Sequence, residues 1–584
     1  MRKGILVSSK LALVLFISLS TQIKPVFSSS RSGPPAPRPA LGRTSTQTEE
    51  KAASIALPPM GWSSWNSFSN SVDSNVIIQE TDALVASGMK QSGYQYINID
   101  EGWWSGERDQ NGSIIVNPVQ WPALRPDERA GDMSNIVRYI HSAGLKAGIY
   151  TDAGESGCGF YGPDLGLPMP HTGSEGHYEQ DFLQFAEWGF DYVKVDWCGG
   201  HKEDLDPATQ YAAIAAAIKR AEKLTHHQLF YSICNWGNNS SWTWAPGIGG
   251  VSASMWRTSG DIVAPIVANG PNSDRKASFA GVLSNFDLGI HPMAQHTGYY
   301  NDPDMMVVGM QGLTESQNRA HMSLWAISAA PLIVGADLTK LDNTTKAILT
   351  NPAVIAIDHD PLGLQAIKVA ESSPGLQVWT KPLATPGEHA VLLLNRTAVA
   401  GRIEVDWDNI GLEGSSEAFV TDAWSHRELG SYRGSYAATI SAGDAALLVI
   451  RGVDSKPSQY EATSTEDGLS GKEEKKTQTS HSDENEICTG TEKKLTFKTG
   501  LIRSATFARI FYANGDDHPV IGKLSFDGGI GTHLLFPPTQ GAERFIAIVI
   551  EPKRAENEST LSISMPLDKN LTVFSLAVFD GLHK

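Results

Sequence analysis

Tyr192-Val193-Lys194-Val195-Asp196-Trp197-Cys198 is a short apolar run of strand length that ends on a carboxylate. Just upstream, Tyr178, Phe182, Phe185 and Ala186 recur at i, i+4, i+7 and i+8, the spacing of one helix face. The same alternation continues from about Leu57 to Asn351. Ile136, Tyr139, Ile140 and Ala143 mark another helix face. Strand-length runs start at Tyr96, Ala147, Tyr192, Phe230 and Leu332. Buried runs of this kind suit a parallel sheet covered by helices. Eight strand ends can be placed, near Trp65, Asp100, Thr151, Asp196, Cys234, Arg257, Asn301 and Gly335, with polar residues just beyond them. Eight strand–helix units over about three hundred residues predict a (β/α)8 TIM barrel. A doubly wound open sheet is the rival, but no Gly-rich nucleotide turn follows any strand.

From Ile355 to Arg451 the pattern turns all-β, with apolar runs starting at Leu376, Ala390 and Ala446 and split by Gly, Pro and Asp turns. Asp454 to Glu486 is charged and Ser/Thr-rich with almost nothing to bury, as expected of a linker. Short strands resume from Lys493 to Lys584. That last module contains no Trp, which weakens a sugar-stacking role and leaves a stabilising or spacing one. The expected order is an export signal (1–30), a flexible tract (31–55), the barrel (56–354), an antiparallel β-sandwich (355–453), a linker (454–488) and a C-terminal β domain (489–584).

A chain of 584 residues exceeds what one core organises, in keeping with several domains. Its net charge of -17 argues against nucleic acid or an anionic membrane surface as partner, whereas a neutral sugar is compatible. Arg2 and Lys3 precede the apolar stretch Leu11 to Leu19, which is too short to span a bilayer, and Ser28 to Ser30 offer small residues for cleavage. A secreted or periplasmic protein is expected, with no membrane contact after the leader is removed. Of the four cysteines, Cys158, Cys198, Cys234 and Cys488, spacing alone assigns no pairing. No CxxC or HExxH spacing occurs, so neither metal nor cofactor is expected.

Two strand-end acids carry the chemistry. Asp196 follows Lys194 by two residues, which puts both side chains on one side of a strand. The ammonium is expected to favour the ionised carboxylate that a nucleophile needs. Asp261 closes Met255-Trp256-Arg257-Thr258-Ser259-Gly260-Asp261. A general acid must hold its proton, so Arg257 is expected to serve the substrate or the nucleophile rather than Asp261. Such a pair at a barrel mouth is what cleavage of a glycosidic bond requires. Asp100 and Glu101 offer adjacent acceptors for sugar hydroxyls, and Trp65, Trp103, Trp104 and Trp236 offer apolar faces to a sugar ring. Asp302 and Asp304 are expected to orient other residues.

Together these motifs closely resemble glycoside hydrolase family 27, the α-galactosidase and α-N-acetylgalactosaminidase family. The likeness runs from about Leu57 to Arg451, through Pro59-Met60-Gly61-Trp62-Ser63-Ser64-Trp65-Asn66, Tyr192 to Cys198, Trp256 to Asp261 and Asn301 to Met305. It implies a retaining double displacement without metal, in which Asp196 forms the covalent glycosyl-enzyme and Asp261 is acid and then base, with carboxyls about 5–5.5 Å apart. Positions matching family sugar contacts are Trp65, Asp100, Glu101, Tyr150, Lys194, Cys234, Trp236, Arg257 and Met305. The resemblance also implies a disulfide between Cys158 and Cys198 and a free pocket Cys234.

The family's usual Asp-Asp pair, which grips O4 and O6 of galactose, reads Asp100-Glu101 here. The added methylene pushes a carboxylate toward the hydroxymethyl group. Family members active on β-L-arabinopyranose, a pentose shaped like galactose without that group, also carry Glu there. Galactoside or arabinopyranoside oligo- and polysaccharides are therefore the expected partners. A non-catalytic carbohydrate-binding barrel is the rival class, disfavoured by retention of both Asp196 and Asp261.

Overall fold

The computed structural model describes residues 57–158, 171–247, 253–263, 276–462, 464–467, 492–529, 531–551 and 559–579. The expected leader, the tract after it and most of the expected linker, with Cys488, lie outside them.

Eight parallel strands form the first domain: β1 (Met60–Ser63), β2 (Tyr96–Asn98), β3 (Lys146–Asp152), β4 (Tyr192–Asp196), β5 (Phe230–Cys234), β6 (Met255–Arg257), β7 (Tyr300–Asp302) and β8 (Leu332–Val334). Seven pairings run in the order β7-β6-β5-β4-β3-β2-β1-β8. The last seam is closed just beyond β7, where Met306 bridges Val334. The Met306 N–H donates to the Ile333 carbonyl at 2.7 Å, and the Gly335 N–H to the Met306 carbonyl at 2.9 Å. The sheet thus closes into the expected (β/α)8 barrel, and its strands are buried on both faces, which is why they are apolar.

Local chemistry sets the helices around it. Asp206 caps Pro207–Thr225 by accepting the Thr209 N–H, and proline sits where its missing donor costs nothing. Thr314 and Gln317 form a reciprocal capping box on Glu315–Ile327. Tyr178–Trp188 ends at Gly189, whose φ of 89° is a left-handed cap that glycine adopts without strain.

A six-stranded antiparallel sheet with a two-stranded partner follows, spanning Ile367 to Arg451. In Glu388–Asn395 the period of two divides the side chains between two cores. Ala390, Leu392 and Leu394 join the barrel's core. Val391 and Leu393 join Ile403, Val405 and Trp407 in the sandwich's own.

The C-terminal domain is a second sandwich, of four and five strands, around Ile510, Tyr512, Phe526, Phe536, Ile548 and Ile563. It corrects the expected linker. Ser458–Tyr460 pairs with Leu571–Val578, and Ser464–Asp467 pairs with Glu492–Thr499. Both are edge strands held through backbone hydrogen bonds, so they need no apolar pattern. This domain docks on the barrel through the connection entering β7. The ring Nε2 of His296 is 2.7 Å from the His533 carbonyl, and Met293 packs against the C-terminal core. That connection lies at the opposite end of the barrel from the strands' C-terminal ends.

Candidate active site

β4 delivers Lys194 and Asp196 to the C-terminal end of the barrel, and β2 delivers Asp100 beside them. Lys194 Nζ donates to Asp100 Oδ2 at 2.9 Å and lies 3.8 Å from Asp196 Oδ2. Its nearer partner is therefore Asp100, whose Oδ2 also accepts from the Ser63 hydroxyl at 3.2 Å. Burial pushes Asp196 up to about 6; Lys194 opposes the rise, while Asp261 and Asp100 add to it. Lys194 thus favours the ionised form, as its spacing suggests, without setting the balance. Desolvation and like charge outweigh an ammonium that is shared with a closer carboxylate.

β6 ends in Arg257, which is buried. Its Nη2 donates to Asp261 Oδ1 at 2.9 Å and to the Ser259 carbonyl at 3.0 Å. Its Nη1 lies 3.0 Å from Asp304 Oδ1 and 3.6 Å from Cys234 Sγ. Arg257 was expected to serve substrate or nucleophile; instead it clamps Asp261, because Asp304 holds the guanidinium from the other side. Asp304 is itself over-determined. Its φ is 103°, a strained value for a residue with a side chain. Its Oδ2 accepts the Ile262 N–H at 2.8 Å and its carbonyl accepts from Trp325 Nε1 at 3.0 Å. Asp304, one of the expected orienting residues, thus ties the segment carrying Asp261 to the end of β7.

Of the remaining expected positions, Cys234 and Met305 share a cavity with the residues above, whereas Trp65, Glu101, Tyr150 and Trp236 are not part of its lining. Asp100, Lys194, Cys234, Arg257, Asp304 and Met305 line one cavity along the barrel axis. The Tyr150 hydroxyl at β3 donates to Cys158 Sγ at 3.4 Å, and Lys194 Nζ stands 5.3 Å from the Tyr150 ring centre. Trp65 opens the short helix after β1 and is buried; Trp236 follows β5 with φ 56° and is half-buried. Glu101 is buried beside Asp100, its N–H donating to Asp100 Oδ1 at 2.9 Å. Cys158 and Cys198 form a disulfide and Cys234 is free, its thiol pushed up by burial and by Asp196. Trp103 and Trp104 do not offer free faces. They stack on each other within the core, with Phe185 and Trp188 against Trp103.

One residue escaped the sequence reading. Asp152 ends β3 opposite Asp196 in register. Its carboxylate accepts the N–H groups of Cys198 at 2.7 Å, Gly154 at 2.8 Å and Gly199 at 3.1 Å. Burial, then the charge of Asp196, push it upward against those donors. Its signal was a carboxylate two residues past Tyr150, at a strand end like the others. Asp152, Cys158, Asp196 and Cys198 bring ligand-type atoms within 4.8 Å of one another. The two sulfurs are bonded to each other, so this donor set does not suit a metal ion.

Carboxylates converging over the C-terminal end of a (β/α)8 barrel define a glycoside-hydrolase type of site. The family model described as alpha galactosidase A matches residues 57–360, and the one for the alpha galactosidase C-terminal beta sandwich domain matches 373–450. The chain belongs to glycoside hydrolase family 27, the α-galactosidase family. It is 44% identical to alpha-galactosidase A of Cellvibrio japonicus over 352 residues, 60% of this chain and 78% of that one. It is 35% identical to an alpha-galactosidase of Oryza sativa over 396 residues, 67% of this chain and 84% of that one. The solved alpha-galactosidase I from Mortierella vinacea superposes with a TM-score of 0.58 at 28% identity, covering 68% of this chain and 96% of that one. The Saccharomyces cerevisiae enzyme solved with raffinose gives 0.56 at 25% identity, covering 68% and 98%.

Proposed function

We propose that this protein is an exported exo-glycosidase that removes terminal α-D-galactosyl groups with retention of configuration. Asp196 attacks the anomeric carbon and the leaving oxygen takes its proton from Asp261. Asp261 then activates the water that releases the sugar from Asp196. Asp100 and Glu101 accept hydroxyls of the galactosyl ring; Trp65, Tyr150, Lys194, Cys234, Trp236, Arg257 and Met305 complete the wall around it. The carrying observation is that Asp196 and Asp261 belong to one electrostatic unit, each held by a cation that a further buried carboxylate anchors. Export rests on the basic and apolar leader.

Glu101 favours a second reading, a β-L-arabinopyranosidase, because its extra methylene brings a carboxylate nearer the place of the galactose hydroxymethyl group. Initial rates on nitrophenyl α-galactoside and β-L-arabinopyranoside decide between the two, and NMR of the first anomer released decides the stereochemistry. Release of the inverted anomer first, or turnover that survives Asp196→Asn, sinks the double displacement.

A further inference from the structure

Glu101 does not stand alone at the end of β2; it lies in a niche that depends on a missing side chain. A Cβ placed on Gly157 would come within 2.7 Å of Glu101 Oε1 and 2.7 Å of Thr172 Oγ1. Gly157 is buried, and its N–H donates to that Thr172 hydroxyl at 2.9 Å, so the niche wall is fixed. Tyr150 closes another side: after burial, the charge of Glu101 is the largest influence raising its phenol. The Glu101 backbone has no slack. Its N–H is bound to Asp100, and Gly102, at φ 109°, has Asn70 Cα only 2.5 Å from where its own Cβ would stand. With that backbone pinned, a methyl at position 157 would have to be met by the two side chains at 2.7 Å, Glu101 and Thr172.

We propose that Gly157 is a specificity-determining residue: its missing Cβ lets the Glu101 carboxylate retract and keeps room for the hydroxymethyl group of a hexose. The inference rests on the galactosidase reading above and says how that site reconciles a longer acid with a six-carbon sugar. Filling the niche would turn Glu101 into the steric block that its length alone suggests.

The test is Gly157→Ala, with rates on nitrophenyl α-galactoside and β-L-arabinopyranoside and inhibition by free D-galactose and L-arabinose. The galactoside-to-arabinopyranoside ratio of kcat/KM should fall about tenfold or more, mainly through KM. The inhibition constant of D-galactose should rise in parallel while that of L-arabinose moves less than about threefold. Adding Glu101→Asp to Gly157→Ala should return the ratio to that of Glu101→Asp alone. Should Gly157→Ala fail to fold, Glu101→Asp alone still decides. A retracted carboxylate predicts a ratio within about threefold of wild type, though both rates fall. A tenfold rise in that ratio means Glu101 already crowds the sugar and overturns the assignment, as does an unchanged ratio in Gly157→Ala. A wild type that prefers the arabinopyranoside overturns it too. A wild type that cleaves neither glycoside defeats the functional reading itself, and this inference with it.

Discussion

Arg257 donates to Asp261 at 2.9 Å from the opposite side to Asp304, so the expected acid/base is aimed by a guanidinium that cannot itself move. Only a planar fork reaches both carboxylates at once, which an ammonium does not reproduce. Arg257→Lys should keep the fold but lower kcat by about 10²-fold, since misplacing a catalytic group by an ångström has that effect. Arg257→Ala leaves Asp304 buried without its counter-charge and should cost about 3–5 kcal/mol of stability. Adding Asp304→Asn should recover part of that loss. Thermal melts of the three variants check the claim, and an additive double mutant would refute the clamp.

The raised Asp196 makes both rate and stability depend on pH. As the proposed nucleophile, Asp196 must be ionised, so kcat/KM for a neutral glycoside should fall on the acid side with a midpoint near 6. Folding favours the protonated form of a group whose value is raised. That contribution is present in full below about pH 4 and lost as pH rises through 6. Asp196→Asn should therefore abolish turnover yet raise stability at pH 7, by at most about 3 kcal/mol, with the gain vanishing near pH 4. Melting curves at the two pH values test it. A variant no more stable at pH 7 than at pH 4, relative to wild type, would contradict the burial argument.

Much of the barrel is legible in the sequence, and less of the site. The barrel was readable because parallel strands buried on both faces are apolar and stop abruptly at polar ends, as at Val195-Asp196. The placement of Asp196 at the end of β4 was readable for the same reason. Their partners were not. Lys194 meets Asp100 across 94 positions, and no local spacing reports which of two nearby carboxylates wins the ammonium. Trp103 and Trp104 sit next to polar strand-end residues in sequence, yet turn inward to pack under the helix Tyr178–Trp188. The edge strands Ser458–Tyr460 and Ser464–Asp467 carry a linker's composition because backbone hydrogen bonds make their pairing.

Asp152 holds the turn beside Asp196 and is expected to act on the reaction at one remove, as a positioning residue. Both of its oxygens accept N–H groups, from Cys198 on one and from Gly154 and Gly199 on the other. These hold the turn that follows Asp196, which the Cys158–Cys198 disulfide also ties down. In Asp152→Asn an amide N–H must face a backbone N–H whichever way it turns. The variant should lose about 1–3 kcal/mol of stability and at least tenfold in kcat, with KM changed less than about threefold. Reducing the disulfide, which closes a separation of 40 residues, should cost about 3–4 kcal/mol. A loss of kcat no larger than the unfolded fraction measured by a melt at the assay temperature, with KM unchanged, would instead mark a merely structural role.

Phe507 belongs by sequence to the C-terminal domain but by packing to the sandwich before it. It is buried in the same cluster as Ile403, Trp407 and Ile450, joined there by Ala547 and Val549. The two β domains thus share a core rather than a flexible tether, and the barrel meets the last one through His296 and Met293, away from the strand ends that carry Asp196 and Asp261. Phe507→Ala removes a ring from that seam and should lower stability by about 3–5 kcal/mol. Below its melting transition the variant should keep kcat/KM on α-galactoside within about twofold, because no expected site residue touches the seam. Calorimetry with matched rate measurements separates the two effects. A large loss of activity in fully folded Phe507→Ala would mean that the C-terminal domain reaches the reaction after all.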